Sequence, residues 1–282
     1  MRAGDYHLAV RVFRTSPATQ HLLQTISLQV GSEAQIQTIG PVAVPGPVPQ
    51  VQLGLPVTNL IPGMSVAHFQ VTAGTIGAFV SPVGGGNVFV LSNNHVLANS
   101  NSVMTPLASA PGDPVLHPSP LDGGVLPGAQ VASLTQFVQL QQRNNLVDAA
   151  LAQLDVGTYW APTYNGQPVS GVSDPVQGAP VWKVGRTTGV TVGTIGSARL
   201  RFVAVDFAFG TLFFDDVFEV TGDNGQPFSI GGDSGSLVLN ASNEAVGLLF
   251  AGADPSPQLP TGRTFCVPIR TVLDTFQVGL LS

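Results

Sequence analysis

Glycine and proline punctuate this sequence from end to end: 33 Gly and 23 Pro, about a fifth of its 282 residues. Long helices do not survive that density, since an interior Gly costs roughly 1 kcal/mol and an interior Pro roughly 3 kcal/mol relative to Ala. Helical bundles and coiled coils are excluded, and the expected class is all-β, built of short strands joined by turns. Hydrophobic residues make up 44% of the chain, enough for a sizeable core. The length suits one large β domain or two ordinary ones.

The punctuation divides the chain. In residues 1–60, Leu8 to Phe13 reads as a strand, His21 to Val30 as a short helix or a second strand, and Ala34 to Ile39 as another strand. The run Gly40 to Pro49 is so rich in Gly and Pro that it is expected as an extended linker with polyproline character, unable to pair as a central strand. Residues 61–160 carry short strands, among them Val66–Ala73, Thr75–Ser81, Val88–Leu91 and Val147–Leu154, with 99–130 read as surface loop. Residues 161–282 open with a linker that ends near Pro180. They continue with strands at 180–184, 189–195, 198–207, 211–220, 235–239, 245–250 and 264–268. Ile269, Val272, Leu273 and Phe276 then form the apolar stripe of a short closing helix. The expected domains are a small N-terminal module with its linker (1–60), a first β-barrel (61–160) and a second with the helix (161–282).

Charge narrows the function. Only 9% of residues are charged, against roughly 25% in ordinary globular proteins. Lys183 is the one lysine and the net charge is −6, which excludes a basic nucleic-acid binder. A surface this poor in charge favours self-association into homo-oligomers. The single cysteine, Cys266, rules out an intrachain disulfide and Cys-based metal clusters. No apolar run has the form of a signal peptide or of a membrane span, so a cytoplasmic protein with no membrane partner is expected. No metal-ligand cluster is visible and no cofactor is expected.

The sharpest local signal is Gly231-Gly232-Asp233-Ser234-Gly235-Ser236, followed by the apolar Leu237-Val238-Leu239. Flanking glycines let the backbone turn tightly around a serine and let a carbonyl approach it. The amides of Gly232 and Ser234 are then placed to form an oxyanion hole. A purely structural Gly-rich turn is the competing reading. A nucleophilic serine needs a base. Of His7, His21, His68, His95 and His117, only His95 directly follows a buried-strand pattern, Val88 to Leu91. Asp148, in Leu146-Val147-Asp148-Ala149-Ala150-Leu151, is the carboxylate whose apolar setting calls for a partner. Asp155 is its runner-up, and Asp122 reads as a turn residue.

The order His95, Asp148, Ser234 resembles that of the chymotrypsin-like serine peptidases. Leu91–Asn99, Asn145–Leu154, Lys183–Ile195 and Phe228–Gly252 are most similar to the trypsin-like peptidases of the plant narrow-leaf type and their bacterial relatives. The resemblance covers about residues 61–282 and implies two packed six-stranded antiparallel barrels with the active site between them. It further implies that Ser234 attacks, His95 carries the proton, Asp148 holds His95, and Gly232 and Ser234 form the oxyanion hole. Phe228, Phe250 and Gly252 fall where the family lines its primary substrate pocket. With Phe228 instead of an acid at the base, cleavage of polypeptides after neutral apolar or small residues is expected. That Phe228 simply packs in the barrel is the alternative. Phe250 stands where the family commonly places a serine that supports the aspartate. This departure keeps a second reading open, a catalytically inactive scaffold of the same fold acting as an interaction protein.

Overall fold

The structure, a computed structural model, describes residues 8–44, 59–257 and 259–282. His7 and the Pro45–Pro49 part of the expected linker lie outside the described residues.

The N-terminal module is a β–α–β unit. Strands β1 (Leu8–Val12) and β2 (Ala34–Thr38) pair in parallel, with α1 (Pro17–Val30) between them. The helix starts where a good N-cap meets proline: Ser16 Oγ accepts from Thr19 N at 3.1 Å, and Pro17 needs no amide partner at the first position. This resolves His21–Val30 as helix. The module is anchored to the rest of the chain by Arg11, which pairs with the buried Glu219 (Nε–Oε2 2.9 Å) and donates to Ser197 Oγ at 3.1 Å.

Next come β3 (Val42–Ala43), β4 (Ser65–His68), β5 (Gly74–Thr75), β6 (Ala78–Pro82), β7 (Phe89–Ser92), the single-turn helix α2 (Asn94–Leu97), β8 (Pro114–Leu116), β9 (Gln130–Phe137) and β10 (Ala150–Leu154). Strands β4 to β10 form one antiparallel sheet, ordered β6-β7-β10-β9-β8-β4-β5. It curls into a half-barrel, so the closed first barrel expected from the sequence is not formed.

The second half carries β11 (Thr163–Tyr164), β12 (Gln167–Pro168), β13 (Gly171–Val172), β14 (Pro180–Gly185), β15 (Gly189–Leu200), β16 (Val203–Phe207), β17 (Gly210–Phe214), β18 (Val217–Gly222), β19 (Leu237–Asn240), β20 (Glu244–Ala253), β21 (Arg263–Pro268), α3 (Ile269–Phe276) and β22 (Val278–Leu280). Strands β14, β15, β18, β21, β20 and β19 close on themselves, because β19 pairs back to β14. This is the expected six-stranded barrel.

Several expectations shift. The runs 198–207 and 211–220 are each broken, at Phe202 (φ 53°) and Asp216 (φ 58°), so the hairpin β16–β17 leaves the barrel wall. Asp215 Oδ1 accepts from Phe202 N at 3.0 Å and ties the two corners together. The supposed loop 99–130 contains β8, and the supposed linker before Pro180 contains β11 to β13. The closing helix forms as expected, but β22 follows it and adds to the free edge of β6, so the chain end returns to the first sheet. Val42–Ala43, expected in an unpaired linker, lies in the interior of the second sheet between β16 and β20. Pro41 precedes the two paired residues and withholds no N–H from them.

Candidate active site

Strand β7 pairs antiparallel with β10, with Ser92 opposite Ala150. That register puts the residues after β7 beside those before β10, which is how positions 53 apart in sequence meet. His95, on α2, contacts Asp148: Nδ1–Oδ2 is 2.6 Å, and the His95 amide donates to Oδ1 at 3.2 Å. Asp148 has no solvent exposure. Its backbone is fixed by Asn93 Nδ2, which donates to the Asp148 carbonyl at 2.8 Å. One residue, His95, thus engages both carboxylate oxygens of Asp148. His95 Nε2 is buried and has no hydrogen-bond partner among the described residues.

Ser234 sits on the loop before β19, only 3% exposed. Its carbonyl accepts from Thr75 N at 2.8 Å, across the two halves. Gly235 N donates to Leu249 O, and Leu249 N to Ser236 O, stitching the loop to β20. Gly235 (φ 94°) must be glycine: a Cβ there would lie 2.0 Å from Ser92 Oγ and 2.4 Å from Thr75 O. Among the described residues the amides of Gly232 and Ser234 donate no hydrogen bond, which leaves both available to an oxyanion. The Ser234 hydroxyl is likewise unbonded among them, so His95 and Asp148 are brought together while Ser234 is not hydrogen-bonded to His95.

The loop is braced from below. Asp233, fully buried, accepts from Thr187 N (2.9 Å), Thr188 Oγ1 (2.8 Å) and Ile230 N (3.1 Å), and lies 3.5 Å from Lys183 Nζ. Burial pushes the Lys183 ammonium below its usual range, partly offset by Asp233. Arg186 and Asp122 form a second buried ion pair, joining the halves. Burial works against the Asp122 carboxylate, but hydrogen bonds from Arg186, Ser65 and Ser119 and the guanidinium charge outweigh it and hold the carboxyl below its usual range. Asp122 closes a turn, as expected, but its side chain also anchors Arg186. Thr75, Asn93, Thr187 and Thr188 had no sequence signal.

The structure matches solved serine proteases over most of the chain. Thermobifida fusca Protease A superposes with a TM-score of 0.53 at 22% identity, covering 79% of this chain and 99% of that one. Cellulomonas bogoriensis chymotrypsin gives 0.53 at 18%, covering 79% and 98%. The chain has the chymotrypsin-like fold. A family model for the Nal1 C-terminal domain matches residues 169–261, within the second half of that fold. Protein NARROW LEAF 1 of Oryza sativa subsp. japonica is 30% identical over 116 residues, 37% of this chain. The match spans 19% of the length of the rice protein.

Within the chymotrypsin-like fold, two of the expected pocket residues are buried. Phe250 is fully buried against Phe214, ring centroids 4.7 Å apart, and Phe228 is 1% exposed in the second barrel core, with Lys183 Nζ 5.9 Å from its ring centre. Both rings are core residues here. β20 is buried on both faces over most of its length, so inward and outward positions cannot be told apart by alternation. Gly252 is partly accessible, and its backbone is paired with Ala43. Phe207, at the end of β16, packs edge-on against His95 at 6.4 Å. A cavity of about 750 Å³ lies between the N-terminal module and the second barrel, and no triad residue lines it. Among the described residues no group of His, Cys, Asp and Glu is placed to hold a metal, and no helix is long and apolar enough to cross a membrane.

Proposed function

We propose that this chain is a serine endopeptidase. The observation that carries the reading is the fully buried Asp148 at 2.6 Å from His95 Nδ1, with Nε2 left without a partner among the described residues. A carboxylate so placed fixes the tautomer in which Nε2 is the basic nitrogen, and stabilises the ring once it is charged. In the proposed reaction Ser234 Oγ attacks the peptide carbonyl and passes its proton to Nε2. The oxyanion is received by the amides of Gly232 and Ser234. His95 returns the proton to the leaving amine, and water repeats the sequence on the acyl-enzyme. An apo hydroxyl not yet bonded to its base is no obstacle, because such contacts tighten when substrate binds.

The substrate class follows from the surroundings. Phe228, not an acid, stands at the base of the expected pocket, so that position offers no carboxylate to pair with a basic side chain before the cut. Peptides with Leu, Phe, Met or Ala at that position are the expected substrates. Mapping cleavage of a peptide library by the full chain and by Ser234→Ala tests this. Cuts after apolar or small residues that vanish in Ser234→Ala support it, and cuts dominated by Lys or Arg, or retained in Ser234→Ala, overturn it. The burial of Phe228 and Phe250 favours a second reading, the inactive scaffold. Under it the chain and Ser234→Ala are equally inert and bind peptides equally well.

A further inference from the structure

Strand β20 runs directly behind the nucleophile loop, tied to it through Leu249. Its neighbour β19 covers it only as far as Leu248, which pairs with Leu237, because the chain before Leu237 is the Ser234 loop itself. Beyond Leu249, whose N and O are bonded to Ser236 and Gly235, β21 holds one edge of β20, and the other is left to a strand that approaches Ser234. An extended peptide binds such an edge through its main chain, largely regardless of sequence.

The chain fills that edge with its own residues. Ala43 pairs antiparallel with Gly252, while Val42 and Ala43 pair in parallel with Val205 and Asp206. Val44 N donates to Asp206 O at 3.3 Å, and Val42 is 1% exposed within the main core. The slot therefore has two informative walls. One is β20, behind Ser234. The other is β16, whose Phe207 lies against His95.

We propose that β3 is a tethered occupant of the peptide-binding edge. The N-terminal module, held by Arg11 on Glu219, docks Val42–Val44 where an extended substrate must bind, and the chain in this state inhibits itself. The slot takes extended peptides with a β-branched apolar residue at the Val42 position and a small one at the Ala43 position. The paired segment is short, and Pro41 lacks the N–H that would lengthen the ladder before Val42. This inference rests on the peptidase reading.

The test uses the full chain with the pair Ala43→Cys and Asp206→Cys, opposed across the β3–β16 ladder. Neighbouring strands lie about 4.8 Å apart, inside the Cα range of about 4.4–6.8 Å that a disulfide spans. Cys266 is fully buried and takes no part. Peptide hydrolysis and labelling of Ser234 by a small fluorophosphonate, which needs no strand edge, are measured with the lock oxidised and reduced. The expected result is hydrolysis slowed by about tenfold or more on oxidation and restored by reductant, with labelling unchanged, as for a competent state depleted by a permanent intramolecular ligand. Equal hydrolysis in both states, with labelling intact, overturns the inference and leaves the peptidase reading standing. Absence of labelling in every arm overturns both. Val42→Asp is a second, independent arm: burial of its carboxylate disfavours docking, so kcat/KM for peptides rises, and an unchanged kcat/KM in the folded variant overturns the inference.

Discussion

Asp148 illustrates how the residue scale governs this site. Among the described residues both of its oxygens are engaged by His95 alone, one by the ring and one by the amide, so the orientation of the base and of its partner is set by a single one-turn helix. Ser234→Ala and His95→Ala are each expected to abolish peptide hydrolysis, with the double variant little worse than either, and Asp148→Asn to lower kcat by about 10⁴-fold through the wrong tautomer. Steady-state kinetics check this. A His95→Ala chain retaining most of its activity would show that another group is the base. Lys183 is a different case, since its ammonium stabilises the Asp233 carboxylate that shapes the loop. Lys183→Met leaves that buried charge without its cation and is expected to destabilise the fold by about 3–5 kcal/mol, read from urea unfolding. An unchanged midpoint would mean that the four donors from Thr187, Thr188 and Ile230 suffice. The three residues proposed to do the chemistry each sit in a local context that singles them out in the sequence: a Gly-flanked serine, a histidine after a buried strand, an aspartate among apolar residues. Thr75 and Asn93 were not legible, because their roles exist only through partners brought from more than fifty positions away.

Among the elements, short strands bounded by Gly and Pro were readable, and the corners that redirect them were not. Phe202 and Asp216 each take a left-handed conformation inside what reads as continuous strand, and the hairpin they release is the one that carries Phe207 to His95. β3 was missed for the opposite reason. A run of Gly and Pro argues against a strand on average, yet two paired residues are enough to fill a gap where neighbouring strands supply the ladder. The nucleophile loop depends on one glycine more than on any other backbone position. Gly235→Ala forces a Cβ onto Ser92 Oγ and the Thr75 carbonyl in a conformation that L side chains rarely adopt. It is expected to remove peptidase activity with a smaller loss of stability, checked by kinetics and by the urea midpoint together. Full activity in Gly235→Ala would show that the loop is not held in this conformation during turnover.

For the whole molecule, the candidate site lies where the two halves meet, and buried groups of the first half make stability depend on pH. His68 and His117, both buried in the first half, are pushed below the ordinary histidine value chiefly by burial. Asp113 opposes this at His68, and the Ser65 carbonyl and the Asp122 charge oppose it at His117. The native state therefore resists protonation that the unfolded chain accepts near pH 6.5, so stability is fully present above about 6.5 and falls as pH descends from there toward the folded values. Asp122 has the same sign in a more acidic window: its depressed carboxyl contributes stability above the ordinary carboxylate range, lost as pH falls below it. Urea midpoints from pH 8 to 5 should decline, and decline less in His117→Gln. A flat profile would mean that neither ring is held neutral. The closed second barrel was legible from its run of strands and the triad order, while the opening of the first into a curled half-barrel, and the return of β22 to its edge, depend on pairings that no local pattern encodes.

The peptidase reading is tested most directly by reacting the full chain with a fluorophosphonate and locating the adduct by mass spectrometry, alongside Ser234→Ala and His95→Ala. The expected result is a single adduct on Ser234, absent in Ser234→Ala and formed far more slowly in His95→Ala. No adduct on Ser234, or one formed equally fast without His95, would contradict it.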